Sequence, residues 1–450
     1  MSRQLFGTDG IRGVAGEFPL DASTVYAIGR TLGAWCGRHH PAPEVLIGAD
    51  TRESGAWIAG CLAAGLREEG VGTRFAGLIT TPGVAYLTRR DDFVAGVMIS
   101  ASHNPYRDNG IKVFDHSGYK LADEEEHRLE EEIFRLLHAG VAPSEARLEV
   151  DRGLDAEYAG YLASTLRRPL PPMKIAVDCG HGAASFLAPQ LLERLGAEVI
   201  RMGCEPDGRN INEGCGALHV DALRKLVTSS GADAGFAFDG DADRCIGISG
   251  SGRTVDGDAI LFLSARRLLA EGRLSRDARE PVVVSTVMSN LGLELSLAEM
   301  GVRMLRTAVG DRYVLEEMMR QGALLGGEQS GHIIFHEYAT TGDGMLTALQ
   351  VLEVLGASGR PLDELVAELP VYPQLLVNVR VRERRPLESL PAVTTAIRSV
   401  EEQLAGRGRV VVRFSGTEPL ARVMVEGPTQ QAVEAAAGTI AAAIRNEIGA

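Results

Sequence analysis

The sequence predicts an α/β protein of four domains around a central cleft: three related α/β domains with mixed, mainly parallel sheets, then a C-terminal α+β domain. Three observations support this. The chain has 450 residues, about three times the ~150 of a typical domain. Short β-branched runs alternate with helical stretches, as in parallel sheets joined by crossover helices. The pattern also returns. Runs at 45–54, 174–185 and 281–292 each enter a polar turn and then a helix, for example at 56–69 or 187–195. About 40 to 60 residues on, a second apolar run ends in a polar loop: GVMISASHNP at 96–105, AGFAFDGDADR at 234–244, ALLGGEQSGH at 323–332. Loops beyond strand C-termini are where such sheets carry ligands.

The last 80 or so residues read differently. Strands are expected at 372–381 and 409–414, with another ending at 424–427, then an alanine-rich helix at 429–448. A turn at 370–373 makes a natural linker. The expected domains are therefore 1–151, 152–252, 253–369 and 370–450. The segment 123–137 reads as a helix with a solvated charged face.

Composition bounds the function. Apolar residues are 45% and charged residues 24%, the profile of a globular protein. A net charge of -14 repels nucleic acid and anionic membranes, so an anionic substrate must be met by a local positive pocket. No apolar run approaches the ~20 residues of a membrane span, and residues 1–10 hold no signal-peptide core. Six cysteines without a CxxC pair read as buried thiols of a reducing, cytoplasmic compartment. Only four of 46 basic residues are lysine: Lys112, Lys120, Lys174 and Lys225. Lys112 lies inside a motif and invites a chemical explanation; the other three are read as chance.

Four motifs carry chemistry. In Asp239-Gly-Asp241-Ala-Asp243-Arg244, three carboxylates at alternate positions of an extended segment can converge on a hard cation. All-oxygen ligation favours Mg²⁺ over Zn²⁺. An EF-hand is excluded, because Arg244 and Gly250 stand where its Gly and Glu belong. Ser100-Ala-Ser102-His103-Asn104-Pro105 puts a serine at a strand end beside a histidine, a nucleophile or phosphoryl acceptor. Lys112 follows, and unlike arginine it can exchange a proton near a phosphate. Gly326-Gly-Glu328-Gln-Ser330-Gly-His332 sets a carboxylate and a hydroxyl two residues apart, suited to vicinal sugar hydroxyls. Arg413-Phe-Ser415-Gly416-Thr417-Glu418-Pro419 with Arg422 supplies the positive phosphate cradle. No GxxxxGK[ST] or GxGxxG occurs, so kinase and dinucleotide readings have no support.

These motifs, in this order and across the whole chain, resemble the α-D-phosphohexomutase superfamily, one motif per domain. The segments LFGTDGIRG (5–13), STVMSNLGLE (285–294), VGDRYVLEEM (309–318), TGDGMLTAL (341–349) and Gln329 look most like its bacterial phosphoglucosamine mutase branch. Ala217-Leu218 within CGALH, and Phe414, depart from that branch's usual pattern. The resemblance implies interconversion of glucosamine 6-phosphate and glucosamine 1-phosphate through a phosphoserine and a 1,6-bisphosphate, serving UDP-N-acetylglucosamine synthesis. It implies Ser102 as the phosphorylated residue, completing with Asp239, Asp241 and Asp243 the shell of one Mg²⁺. Arg12 would bind the transferring phosphoryl group and Lys112 would shuttle the proton, with His103 and Arg244 alongside. Glu328 and Ser330 would hold hydroxyls. Arg413, Ser415, Gly416, Thr417 and Arg422 would hold the idle phosphate. His332 is a second acid–base candidate, and Asp311 would stand near the sugar. The fourth domain would open to let the intermediate turn, and family members are often dimers. A phosphomannomutase or phosphoglucomutase is the alternative of the same chemistry. A Mg²⁺-dependent phosphatase and a non-catalytic phosphosugar binder are the alternatives of other classes.

Overall fold

The computed structural model describes residues 5–7, 9–90, 93–275, 280–415 and 419–450. Its strands form four sheets. In the first, Glu44–Ala49 lies parallel to Gly72–Leu78 and to Ala95–Ile99, and Ala95–Ile99 then pairs antiparallel with Asp108–Asp115. Gly10–Val14 and Phe6–Gly7 extend that antiparallel edge. The second sheet repeats the order: Lys174–Asp178 is parallel to Glu198–Met202 and Ala234–Phe238, which pairs antiparallel with Cys245–Ser249. So does the third, with Val282–Thr286 parallel to Arg303–Thr307 and Leu325–Gly327, and Ile333–Phe335 antiparallel to Leu325–Gly327. The weak echo in the sequence is thus one strand order used three times. Every residue of Ala95–Ile99, Ala234–Phe238 and Val282–Thr286 is buried, as expected of strands covered by helices on both faces.

This topology places the motifs. The serine, aspartate and Gly-rich loops each join the last parallel strand of a sheet to its antiparallel neighbour. Three sheets present three loops at one equivalent position.

The fourth sheet is antiparallel, with Leu420–Glu426 between Gln374–Arg380 and Arg409–Phe414. Helix Gln430–Ile448 starts where it does because the Thr429 side chain accepts from the Ala432 N–H, a standard N-cap. The second and third sheets share one apolar core that runs from Tyr158 to Leu369, whereas the first and the fourth sheet have their own.

The helix Asp123–Ala139 departs from expectation. Its charged residues are not all solvated. Glu130 is buried and accepts the backbone N–H groups of Leu5 and Phe6 at 2.9 and 3.1 Å. Glu125 accepts Trp35 Nε1–H at 3.0 Å, and Asp123 pairs with Arg312 of the third sheet's helix. Charge periodicity cannot separate carboxylates that face water from carboxylates that terminate a neighbouring strand.

Candidate active site

Ser102 follows the buried strand Ala95–Ile99, at a turn where its φ is +53°. A non-glycine residue there is strained, and the surroundings hold it in place. Arg52, fully buried against Asp50, donates to the carbonyls of Ser102 and Asn104 at 2.9 Å and of Pro105 at 2.6 Å. Asn212 of the second unit donates to the Ser102 carbonyl at 2.9 Å. The Ser102 hydroxyl donates to Asp239 Oδ2 at 2.6 Å, and His103 Nδ1 lies 3.4 Å from the same hydroxyl. The two loops meet this closely because residue 240 is glycine: a Cβ there would sit 2.5 Å from the Ser102 carbonyl oxygen.

The aspartate loop is a turn, not the extended segment expected. Ala242 N–H bonds the Asp239 carbonyl at 3.0 Å, and Ala242 has a φ of +57°. Chain reversal rather than strand alternation brings the carboxylates of Asp239, Asp241 and Asp243 within 4.8 Å of one another, all buried. Asp239 Oδ2 receives Ser102 and Oδ1 receives the Arg244 N–H at 3.1 Å. Asp241 Oδ2 receives Thr81 Oγ1 at 2.6 Å and Lys112 Nζ at 2.8 Å. One oxygen each of Asp241 and Asp243, Oδ1 in both cases, is buried with no hydrogen-bond donor among the described residues. Burial, then the charges of Asp243 and Asp241, push the Asp239 carboxyl well above its usual range. Clustered carboxylates with orphaned oxygens and no nitrogen or sulfur ligand fit a hard divalent cation such as Mg²⁺.

Lys112, in strand Asp108–Asp115, is buried and reaches Asp241 at 2.8 Å, Asp9 at 3.0 Å and Asp243 at 3.6 Å. Burial opposes its charge, but Asp241, Asp9 and Asp243 outweigh it and hold the ammonium well above its ordinary pKa. Arg12 pairs with Asp9. Burial, then the nearby guanidinium groups of Arg244 and Arg12, lower the pKa of His103.

In the Gly-rich loop, Glu328 is buried and its Oε1 accepts the Gly310 N–H at 3.1 Å, while Ser330 is exposed. Gln329 Nε2 reaches Asp256 Oδ2 at 3.4 Å. His332 is 2% exposed. Its Nε2 accepts the Gly342 N–H at 3.2 Å, which places the ring proton on Nδ1, a buried atom with no partner among the described residues. Asp311 Oδ2 lies 3.8 Å from His332 Nε2.

The structure therefore gathers Ser102, Lys112 and the three aspartates, all buried, and the half-buried His103, Arg12 and Arg244 into one cluster, with Asp311 and His332 reached through Lys120. Arg413 and Arg422 stand apart on the fourth sheet, directly opposite each other in neighbouring strands, with Ser415 buried at the strand end. Burial and the charge of Arg422 lower the Arg413 pKa. Gly416 and Thr417 lie outside the described residues.

Sequence reasoning missed Asp9, Arg52, Thr81, Asn212 and above all Lys120, read as chance. Lys120 Nζ lies 2.5 Å from Asp9 Oδ1 and 2.6 Å from Asp311 Oδ2. The rarity of lysine in this chain was a signal for Lys120 as much as for Lys112.

The chain is similar to known proteins over its whole length. Residues 3–139, 156–252 and 256–372 match alpha/beta/alpha domains I, II and III of the phosphoglucomutase/phosphomannomutase family, and residues 376–443 match its C-terminal domain. A protein of Solibacter usitatus named phosphoglucosamine mutase is 59% identical over 449 residues, 100% of both chains. A phosphoglucomutase/phosphomannomutase family protein of Burkholderia thailandensis shares the fold with a TM-score of 0.80 at 23% identity, over 98% of this chain and 97% of that one. The N-acetylphosphoglucosamine mutase of Aspergillus fumigatus, solved with GlcNAc-6P and magnesium, gives 0.71 at 20% identity, over 99% and 95%. With four domain matches in order and a relative aligned end to end, the chain belongs to the phosphoglucomutase/phosphomannomutase family of α-D-phosphohexomutases.

Proposed function

We propose that the protein interconverts glucosamine 6-phosphate and glucosamine 1-phosphate through a phosphoserine enzyme and glucosamine 1,6-bisphosphate. One observation carries the reading. The Ser102 hydroxyl lies 2.6 Å from a buried aspartate triad, in a chain 59% identical over its whole length to a phosphoglucosamine mutase.

Asp239, Asp241 and Asp243, with a phosphoserine oxygen of Ser102, would hold Mg²⁺, whose charge when bound offsets that of the phosphoryl group. Arg12 and Arg244 take phosphoryl oxygens, and His103 adds a hydrogen bond. Transfer exchanges one P–O bond for another: the sugar hydroxyl loses a proton, the serine oxygen gains one, and Lys112 is the shuttle between them. Glu328 and Ser330 bind two adjacent hydroxyls, and His332 is the second acid–base candidate. Arg413, Ser415, Gly416, Thr417 and Arg422 hold the idle phosphate. The bisphosphate then turns, so that its other phosphate faces Ser102, and a cradle on a separate sheet can accept either end.

On this reading the chain divides at 1–151, 152–252, 253–369 and 370–450, and works in the cytoplasm as a monomer or homodimer. The test compares initial rates on glucosamine 6-phosphate and glucose 1-phosphate, with Mg²⁺ and a trace of the matching bisphosphate. A large preference for the amino sugar is expected. Preference for glucose or mannose phosphates overturns the substrate, and hydrolysis without isomerisation overturns the mutase.

A further inference from the structure

Asp9 carries more cations than one carboxylate needs. Its Oδ2 meets the Arg12 guanidinium and, at 3.0 Å, Lys112 Nζ, while its Oδ1 meets Lys120 Nζ at 2.5 Å. Burial works against the ionised form, yet Lys112, Lys120 and Arg12 together hold the Asp9 carboxyl well below its usual range. Lys120 reaches onward to Asp311 at 2.6 Å, the first residue of helix Asp311–Gln321 beside the Gly-rich loop. It is not a free surface arm. The Gly118 carbonyl accepts Thr340 Oγ1–H at 2.6 Å, and Tyr119 Oη lies 2.9 Å from His336 Nε2, so its segment is anchored to the third unit.

We infer that Lys120 is a positioning residue: it bridges Asp9 to Asp311 across the first and third units and frees Arg12 to turn to the phosphoryl group. This rests on the role proposed above for Arg12. Arg12 Nη2 is tied to Asp9, and swinging that group to phosphoryl oxygens takes a charged donor from a half-buried carboxylate, which resists the loss. With Lys120 in place, Asp9 keeps two ammonium partners when Arg12 leaves. Without it, Arg12 is the second of two cations on Asp9 and stays there, and Asp311 loses its ion pair. A compact ammonium fits between two carboxylates 2.5 and 2.6 Å away, where a planar guanidinium would spread them. That accounts for a lysine in a chain otherwise built with arginine.

The kinetic test uses Lys120→Met on glucosamine 6-phosphate with Mg²⁺ and glucosamine 1,6-bisphosphate. We expect kcat to fall tenfold or more with KM within threefold of the parent, and the double variant Arg12→Ala/Lys120→Met to be no worse than Arg12→Ala alone within twofold. Unchanged kcat, a change confined to KM, or losses that multiply in the double variant would overturn the role. If the parent fails on glucosamine 6-phosphate, the sugar assignment falls and the same comparison is made on glucose 1-phosphate. A second arm needs no turnover. With only four lysines in the chain, ¹³Cε-lysine labelling gives four assignable signals. The Lys120 signal, identified by its loss in Lys120→Met or, should that variant not fold, in Lys120→Gln, is expected to shift in both Asp9→Asn and Asp311→Asn. A signal unmoved by either removes the bridge.

Discussion

Ser102 and Asp239 stand 137 positions apart and on different sheets, yet the serine hydroxyl donates to the aspartate across 2.6 Å. Ser102→Ala is expected to lower mutase activity by several orders of magnitude, since it removes the hydroxyl that meets Asp239. The backbone adds a second expectation. At a φ of +53° any side chain is strained by about 1 kcal/mol relative to glycine. Ser102→Gly, equally inactive, should therefore be more stable in urea than Ser102→Ala by about that amount. Equal stabilities would mean the turn relaxes in the variants.

The aspartate triad predicts two effects of opposite sign. Asp243 is a cause of the raised Asp239 pKa, after burial, so Asp243→Asn should raise the melting temperature measured in EDTA. The same substitution removes a ligand, so it should reduce the further rise on adding Mg²⁺. Differential scanning calorimetry with and without Mg²⁺ reads both. A variant that melts lower in EDTA contradicts the electrostatic account.

Asp258 predicts a pH dependence. Burial, then the neighbouring charge of Asp256, raise its pKa to about 7. For a carboxyl raised on folding, the stabilising contribution is complete below the usual carboxylate range and is lost as pH rises through 7. Asp258→Asn keeps an acceptor for the Asn290 N–H, now 2.8 Å from Oδ2, and cannot ionise. Its advantage over the parent should be on the order of 2 kcal/mol at pH 8 and vanish near pH 4. A pH-independent difference in urea titrations would dismiss the assignment.

Arg409 joins the fourth sheet to the third. It donates to the carbonyls of Val287 at 2.7 Å and Ser289 at 2.8 Å, and pairs with the buried Glu426. Arg409→Met leaves that carboxylate without its cation and should cost roughly 3 kcal/mol. Adding Glu426→Gln should recover part of the loss. Full additivity in the double-mutant cycle would show the two residues to be independent.

Much of this was legible in the sequence because the repeated strands are short, apolar and followed by loops of unusual polarity. The strand Arg409–Phe414 begins and ends where alternation put it, and helix Leu187–Arg194 stops one residue short of the expected end. What stayed hidden depends on contacts between distant segments. Glu130 looked solvated because its partners are backbone N–H groups 124 and 125 positions away. Lys120 looked incidental because Asp9 and Asp311 come to it only through packing of two units. The aspartate turn was misjudged as extended because a positive φ at Ala242 breaks local preference, and only tertiary contacts sustain it.

The three loops that follow equivalent strands have each kept a different task. One holds Ser102, one the three aspartates and one Glu328 and Ser330, although all leave their sheets at the same topological point. With the roles proposed above, a repeated scaffold of this kind separates chemistry from recognition. Exchange of residues in the Gly-rich loop can retarget the enzyme to another hexose while the serine and aspartate loops, anchored in other sheets, go on performing the same phosphoryl transfer. A strand order used three times thus supplies a division of labour in which selectivity can change without disturbing catalysis.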